Sequence, residues 1–184
     1  MPAMLGFVRR ANIKSDVVHA KNIYIDVEAT LIEDIDAYNS FYGYSRTIMG
    51  NGQPVVLHTA DGETETITDL VVCSSMDGVK NPVYGYPARY KWDAGITSMQ
   101  LVDAKLNERF NITAADAAAK KVQIPLKSSY MLVNGERVLI ERWYLCYRKS
   151  DPEKLEIWVG DASWKHPEKF RVYPDPCKEF ANGT

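Results

Sequence analysis

The sequence predicts an α+β fold, mainly antiparallel, built as a sandwich or open barrel of about seven to nine strands with two or three short helices. Three observations predict it. Short apolar runs rich in Val, Ile, Tyr and Trp recur along the chain, as strands require. The dipeptides Asn51-Gly52, Asp61-Gly62 and Asn134-Gly135 stand between such runs and suit tight hairpin turns. Helix signals gather in one stretch, 103–121, which reads as a helical insertion in a single domain spanning 1–184.

The elements follow in order. Residues 22–32 alternate, with Ile23, Ile25, Val27 and Ala29 on one side and Tyr24, Asp26, Glu28 and Thr30 on the other, the pattern of a half-buried strand. Leu31, Ile35, Tyr38 and Tyr42 fall near helical spacing, and Gly43 ends that turn. Strands are expected at 44–49, 54–60 and 63–73, around the two Gly-containing turns. Residues 74–94 read as a long, ordered, aromatic-rich loop, and 95–101 as a strand. Helices are expected at 103–110 and 113–121, the second capped by Thr113. The last third returns to strands at 129–133, 136–148, 154–160 and 170–174, with a polar tail over 174–184 in which Pro174 and Pro176 oppose a long helix. No internal repeat or heptad run is evident, no GxGxxG or P-loop occurs, and no linker divides the chain.

Hydrophobic residues make up 46% and charged residues 25% of the 184, which excludes a disordered chain. The net charge of −2 conceals an asymmetry. Residues 1–21 carry Arg9, Arg10, Lys14 and Lys21 against Asp16, whereas 22–77 carry ten acids against Arg46. Nucleic acid is disfavoured as a direct ligand, because phosphate binding needs clustered cations. An acidic inhibitor that imitates nucleic acid would present 26–77 as one negative face. Cys73 and Cys146 sit in apolar strands and read as buried. Cys177 lies in the polar tail and reads as an exposed thiol, open to an intermolecular bridge. The start lacks the order of a secretory signal, and no run is long enough to span a membrane, so a cytoplasmic setting is expected.

Two groups of residues carry the functional expectations. Tyr84, Tyr86, Arg89, Tyr90 and Trp92 interleave aromatics with a cation in the 74–94 loop, a composition enriched at the centres of protein interfaces. With no confident catalytic set and no required cofactor, they favour a non-catalytic subunit. It would act through protein–protein contacts or self-assembly, as in a virus particle or phage tail.

Asp26 and Glu28 form the second group. Two acids spaced by one residue on a strand share a face and can hold a hard divalent cation. The segment resembles the first motif of the DEDD-type 3′–5′ exonucleases. That resemblance implies Mg or Mn, two further acids matched by Asp93 (after Trp92) and Asp151, and a tyrosine matched by Tyr147. The second motif's usual preceding asparagine is missing, and Asp151 precedes proline in a turn rather than lying on a helix.

Overall fold

The computed structural model describes residues 2–43, 55–58, 64–67, 69–80, 89–93, 99–162 and 168–182. It is an α+β fold with mainly antiparallel pairing. The chain begins with a 32-residue helix, α1 (Pro2–Glu33). Asp34 caps the next helix, α2 (Ile35–Tyr42), its carboxylate accepting the backbone N–H groups of Asp36 and Ala37. The strands β1 (Val55–His58), β2 (Thr64–Ile67) and β3 (Leu70–Asp77) follow. Next come α3 (Gln100–Arg109) and α4 (Ala114–Ala118), then β4 (Tyr130–Val133), β5 (Glu136–Leu139), β6 (Arg142–Arg148), β7 (Asp151–Gly160), β8 (Glu168–Tyr173) and the short α5 (Lys178–Asn182).

Six strands form one open sheet in the order β2-β1-β8-β7-β6-β3, and β4 and β5 form a separate hairpin. Among the described residues only β1 and β8 pair in parallel. Among the described residues the second layer is helical rather than a second large sheet, so they form neither a sandwich nor a closed barrel. Helix α1 packs on β7, β8, α2, α3 and α5. The main core joins Ile13, Ala20, Ile23 and Val27 of α1 to Leu145, Ile157, Val159, Phe170 and Val172 of the sheet. A smaller cluster of Ile67, Leu70, Val72, Tyr144, Cys146 and Trp158 lies apart from it.

The hairpin and capping expectations hold at residue level. Asn134 and Gly135 both take positive φ (51° and 85°) at the β4–β5 turn, as a type I′ turn demands. Thr113 caps α4 in a reciprocal arrangement with Asp116. Several expectations are corrected. The single strand expected at 136–148 is two, β5 in the hairpin and β6 in the large sheet. Residues 22–32 belong to α1, not to a strand, and among the described residues the helices are five, one of them long. The expected loop at 74–94 begins as strand, since β3 runs to Asp77, and residues 99–101 belong to the α3 region rather than to a strand. The expected turn at Asp151-Pro152 is the start of β7, the chain reversing at 149–150 instead. Residues 44–49, Asn51-Gly52 and Asp61-Gly62 lie outside the described residues.

One irregularity in β3 points side chains at the helices. Val72 faces Cys146 and Ser74 faces Leu145, so Cys73 is an extra residue, a β-bulge. The Cys73 thiol reaches the Phe41 carbonyl of α2, and the Ser74 hydroxyl donates to the Asp103 carboxylate of α3 at 2.5 Å. The bulge thus ties two helices to one strand.

Candidate functional site

A helix places residues two apart about 200° around its axis, whereas a strand places them on the same face. Asp26 and Glu28 therefore diverge on α1. Asp26 turns toward Arg109 of α3, 3.9 Å away. Glu28 is half-buried on the side of Tyr24 and Tyr42, and burial raises its carboxyl above the ordinary range. Asp93 is half-buried beside β3, its N–H donating to the Ser75 carbonyl, and Asp151 is exposed at the start of β7. The Tyr147 hydroxyl donates to the Tyr42 carbonyl at 3.3 Å. Among the described residues no group of three His, Cys, Asp or Glu side chains could hold a metal ion. The strand geometry that made Asp26 and Glu28 a pair is thus absent.

The aromatic loop is corrected in part. Tyr90 and Trp92 are buried, not presented. The Tyr90 hydroxyl donates to the Lys80 carbonyl at 2.5 Å, and the Trp92 backbone exchanges two hydrogen bonds with the Asn107 amide of α3. Arg89 Nη1 donates to the Asp93 carbonyl, closing the segment on itself. The Asp77 N–H donates to the Arg89 carbonyl at 2.7 Å, so residues 89–93 line the β3 edge of the sheet. Tyr84 and Tyr86 lie outside the described residues.

The polar tail is also corrected. Cys177 and Phe180 are buried in the main core. Burial pushes the Cys177 thiol well up, so it is neither an exposed nucleophile nor placed for an intermolecular bridge. Glu179 of α5 meets His58 Nδ1 of β1 at 3.0 Å, and the His58 ring stacks on Phe170. Burial raises the Glu179 carboxyl, but the hydrogen bond and charge of His58, a backbone N–H and the Cys177 thiol together outweigh it and leave it below the ordinary value.

The acids of the sequence block go to separate places. Asp77 is fully buried against Arg142, at 2.8 Å. Asp69 accepts from Ser150. Glu33 and Asp34 pair with Arg109 and Lys105 of α3, each at 2.6 Å. Among the described residues they do not make one continuous negative face.

The feature that stands out lies on the outer side of α1. Nine large hydrophobic side chains are exposed among the described residues, and six of them (Met4, Phe7, Val8, Val18, Ile25, Ile32) are on this one helix. Scattered exposed apolar side chains are normal, but an aligned set marks a contact surface. These are aligned: Met4, Ala11, Val18, Ile25 and Ile32 recur every seven residues. Val8, Ser15, Asn22 and Ala29 fill the positions between them, completing an alternating three- and four-residue spacing. That is the spacing a coiled-coil seam uses, and at 1.5 Å per residue it runs about 42 Å from Met4 to Ile32. Val18 is 56% exposed, Ile25 52% and Ile32 81%.

The opposite side of the same helix enters the core through Ile13, Asp16, Ala20, Ile23, Val27 and Thr30, again at three- and four-residue spacing. Asp16 accepts the backbone N–H groups of Lys127 (2.7 Å) and Ser128 (2.8 Å), locking the helix to the segment before β4. His19 Nδ1 lies 3.1 Å from the Pro125 carbonyl, beside it. Arg9 lies over the Tyr130 ring, its carbon 5.2 Å from the centroid, and fixes the first turns against β4. The inner contacts fix the rotation of the helix, so the outer seam must face away from the core.

No protein family, curated protein or solved structure matches this chain.

Proposed function

We propose that the chain is a protein-binding subunit that assembles through the outer face of α1. The observation that carries this reading is the seven-residue recurrence of exposed apolar side chains from Met4 to Ile32. Burying one Val, Ile or Met side chain is worth about 1.5–3 kcal/mol, so a face holding several of them has ample driving force for association. The expectation that the 84–92 loop makes the contact gives way to the helix, because Tyr90 and Trp92 are spent on the interior. A role within a larger assembly, such as a viral or phage particle, accords with a chain whose longest element is apolar on two faces.

The test is the size of the full chain in clarified cell extract, followed with a tag. The native chain is expected to migrate above its 20.8 kDa mass. The variant Val18→Glu/Ile25→Glu, charged at the centre of the seam, is expected at monomer size. Identical migration of the two removes the reading.

A further inference from the structure

We infer that the cavity between the first turns of α1 and the segment leading into β4 binds a phosphate monoester. The inference stands apart from the outer α1 face and needs no partner there. The cavity measures about 400 Å³, within the range of small-molecule sites. Arg9, Asn12, Lys127, Ser128, Ser129 and Tyr130 supply its polar side chains, and among the described residues no carboxylate lines it. Its two walls are fixed before any ligand arrives, because Asp16 of α1 holds the backbone N–H groups of Lys127 and Ser128. Asp16 itself is fully buried behind them and stays out of the cavity.

The cations here are uncompensated. Arg109, Arg142, Arg148 and Arg171 each meet a carboxylate. Among the described residues Arg9, Lys127 and Arg137 meet none. Arg9 and Arg137 are instead drawn over the same Tyr130 ring, 5.2 and 4.6 Å from its centroid, which gathers two like charges around one side chain. Arg9 Nη2 is buried with no hydrogen-bond partner, a costly state for a charged donor. The Ser128 hydroxyl, near the Asp16 carboxylate, makes no hydrogen bond of ordinary geometry either. An anion in the cavity would relieve the repulsion and give these donors an acceptor. The donor set selects its class. Arg9 offers a planar fork, Lys127 a point charge, and Asn12, Ser128 and Ser129 short neutral donors, arriving from two walls. A doubly charged group with three terminal oxygens uses such a set, whereas a carboxylate uses only part of it. The site is concave and lacks the long track of cations that an extended polyanion follows, so the phosphate comes on a small soluble molecule or a lipid headgroup.

Isothermal titration calorimetry of the full chain with glycerol phosphate tests the inference. The native chain is expected to give a saturable one-site isotherm, weakening at high ionic strength, and to bind glycerate several-fold less tightly. Lys127→Gln removes an exposed charge and keeps the backbone bond to Asp16. Arg9→Lys keeps the charge and loses the fork. Each is expected to weaken binding several-fold, while Lys154→Gln, on the distant β7, is expected to leave it unchanged. A thermal melt without ligand confirms that each variant is folded. Co-sedimentation with phosphatidic acid vesicles separates the two sources. Retention of the native chain, reduced by Lys127→Gln, assigns a lipid headgroup, and glycerol phosphate binding without retention assigns a soluble ligand. Absence of both saturable binding and retention overturns the inference. So does equal affinity for glycerate, or binding that Arg9→Lys and Lys127→Gln leave unchanged.

Discussion

Asp16 and Val18 stand two residues apart on one helix and meet opposite surroundings: Asp16 is fully buried on two backbone N–H groups, whereas Val18 is 56% exposed. The helix is therefore amphipathic twice over, with an inner face that holds the fold and an outer face left for a partner. Substitutions on the two faces should separate stability from assembly. Ile23→Ala opens the core and is expected to cost about 2–4 kcal/mol in urea unfolding. Val18→Glu, measured at dilute concentration, is expected within about 0.5 kcal/mol of the native chain. Comparable costs at both positions would contradict the two-faced helix.

Asp16 is the polar anchor of the inner face. Burial raises its carboxyl above the ordinary value of 3.8, against the hydrogen bonds from Lys127 and Ser128, which lower it. Asp16→Ala strands two N–H groups and is expected to destabilise by about 2–4 kcal/mol. Asp16→Asn keeps one acceptor and should recover about half of that. Equal unfolding midpoints for native chain and Asp16→Ala would show that the two hydrogen bonds hold nothing in place.

Lys169 and Asp161 pair at 2.9 Å with side chains only 1% and 2% exposed. Burial lowers the Lys169 ammonium, and Asp161 opposes that shift. Removing one partner breaks the buried ion pair, so Lys169→Met or Asp161→Leu alone is expected to cost about 3–5 kcal/mol. The double variant should regain most of it, because a well-packed apolar pair of similar volume substitutes for a buried ion pair. Gly160→Ala tests the same place sterically, since its new Cβ would meet the Lys169 stem. A double-mutant cycle showing simple additivity would mean the two charges act independently.

The thiols give a pH prediction. Burial raises Cys73, Cys146 and Cys177 above the ordinary 9.0, so the folded chain keeps them protonated where the unfolded chain ionises. Groups raised by folding contribute stability that is whole below the unfolded value and is lost as pH climbs above it. Lys169, lowered from 10.5, acts in the opposite sense between its folded value and 10.5. One opposing group does not balance three thiols, so the urea midpoint should fall from pH 8 to pH 10. In the folded chain none of the three should react with a thiol reagent at pH 8, and all three should react in urea. A rapidly reacting Cys177 in the folded chain would contradict the docking of the tail.

What was legible in the sequence was whatever rests on local chemistry. Asn134-Gly135 forms its turn because both residues tolerate positive φ, and Thr113 caps because its hydroxyl meets the Asp116 N–H. The long helix was hidden for a physical reason. With apolar residues on opposite sides, no single stripe dominates, and over Ile23, Ile25, Val27 and Ala29 the two faces interleave into the alternation of a strand. The candidate site went astray with it: a spacing of two means one face on a strand and two faces on a helix, so Asp26 and Glu28 looked paired when they were not. Composition likewise did not distinguish a presented aromatic from a buried one at Tyr90 and Trp92, where inward hydrogen bonds decide. The heptad seam escaped notice because Ser15 and Asn22 interrupt its apolar run, and its exposure is visible only once the inner face is known.

The size of the tagged full chain in clarified cell extract tests the central claim most directly. The outer α1 face predicts migration above the 20.8 kDa chain mass, brought down to monomer size by Val18→Glu/Ile25→Glu. Identical monomer-size migration of the two chains would contradict binding through α1.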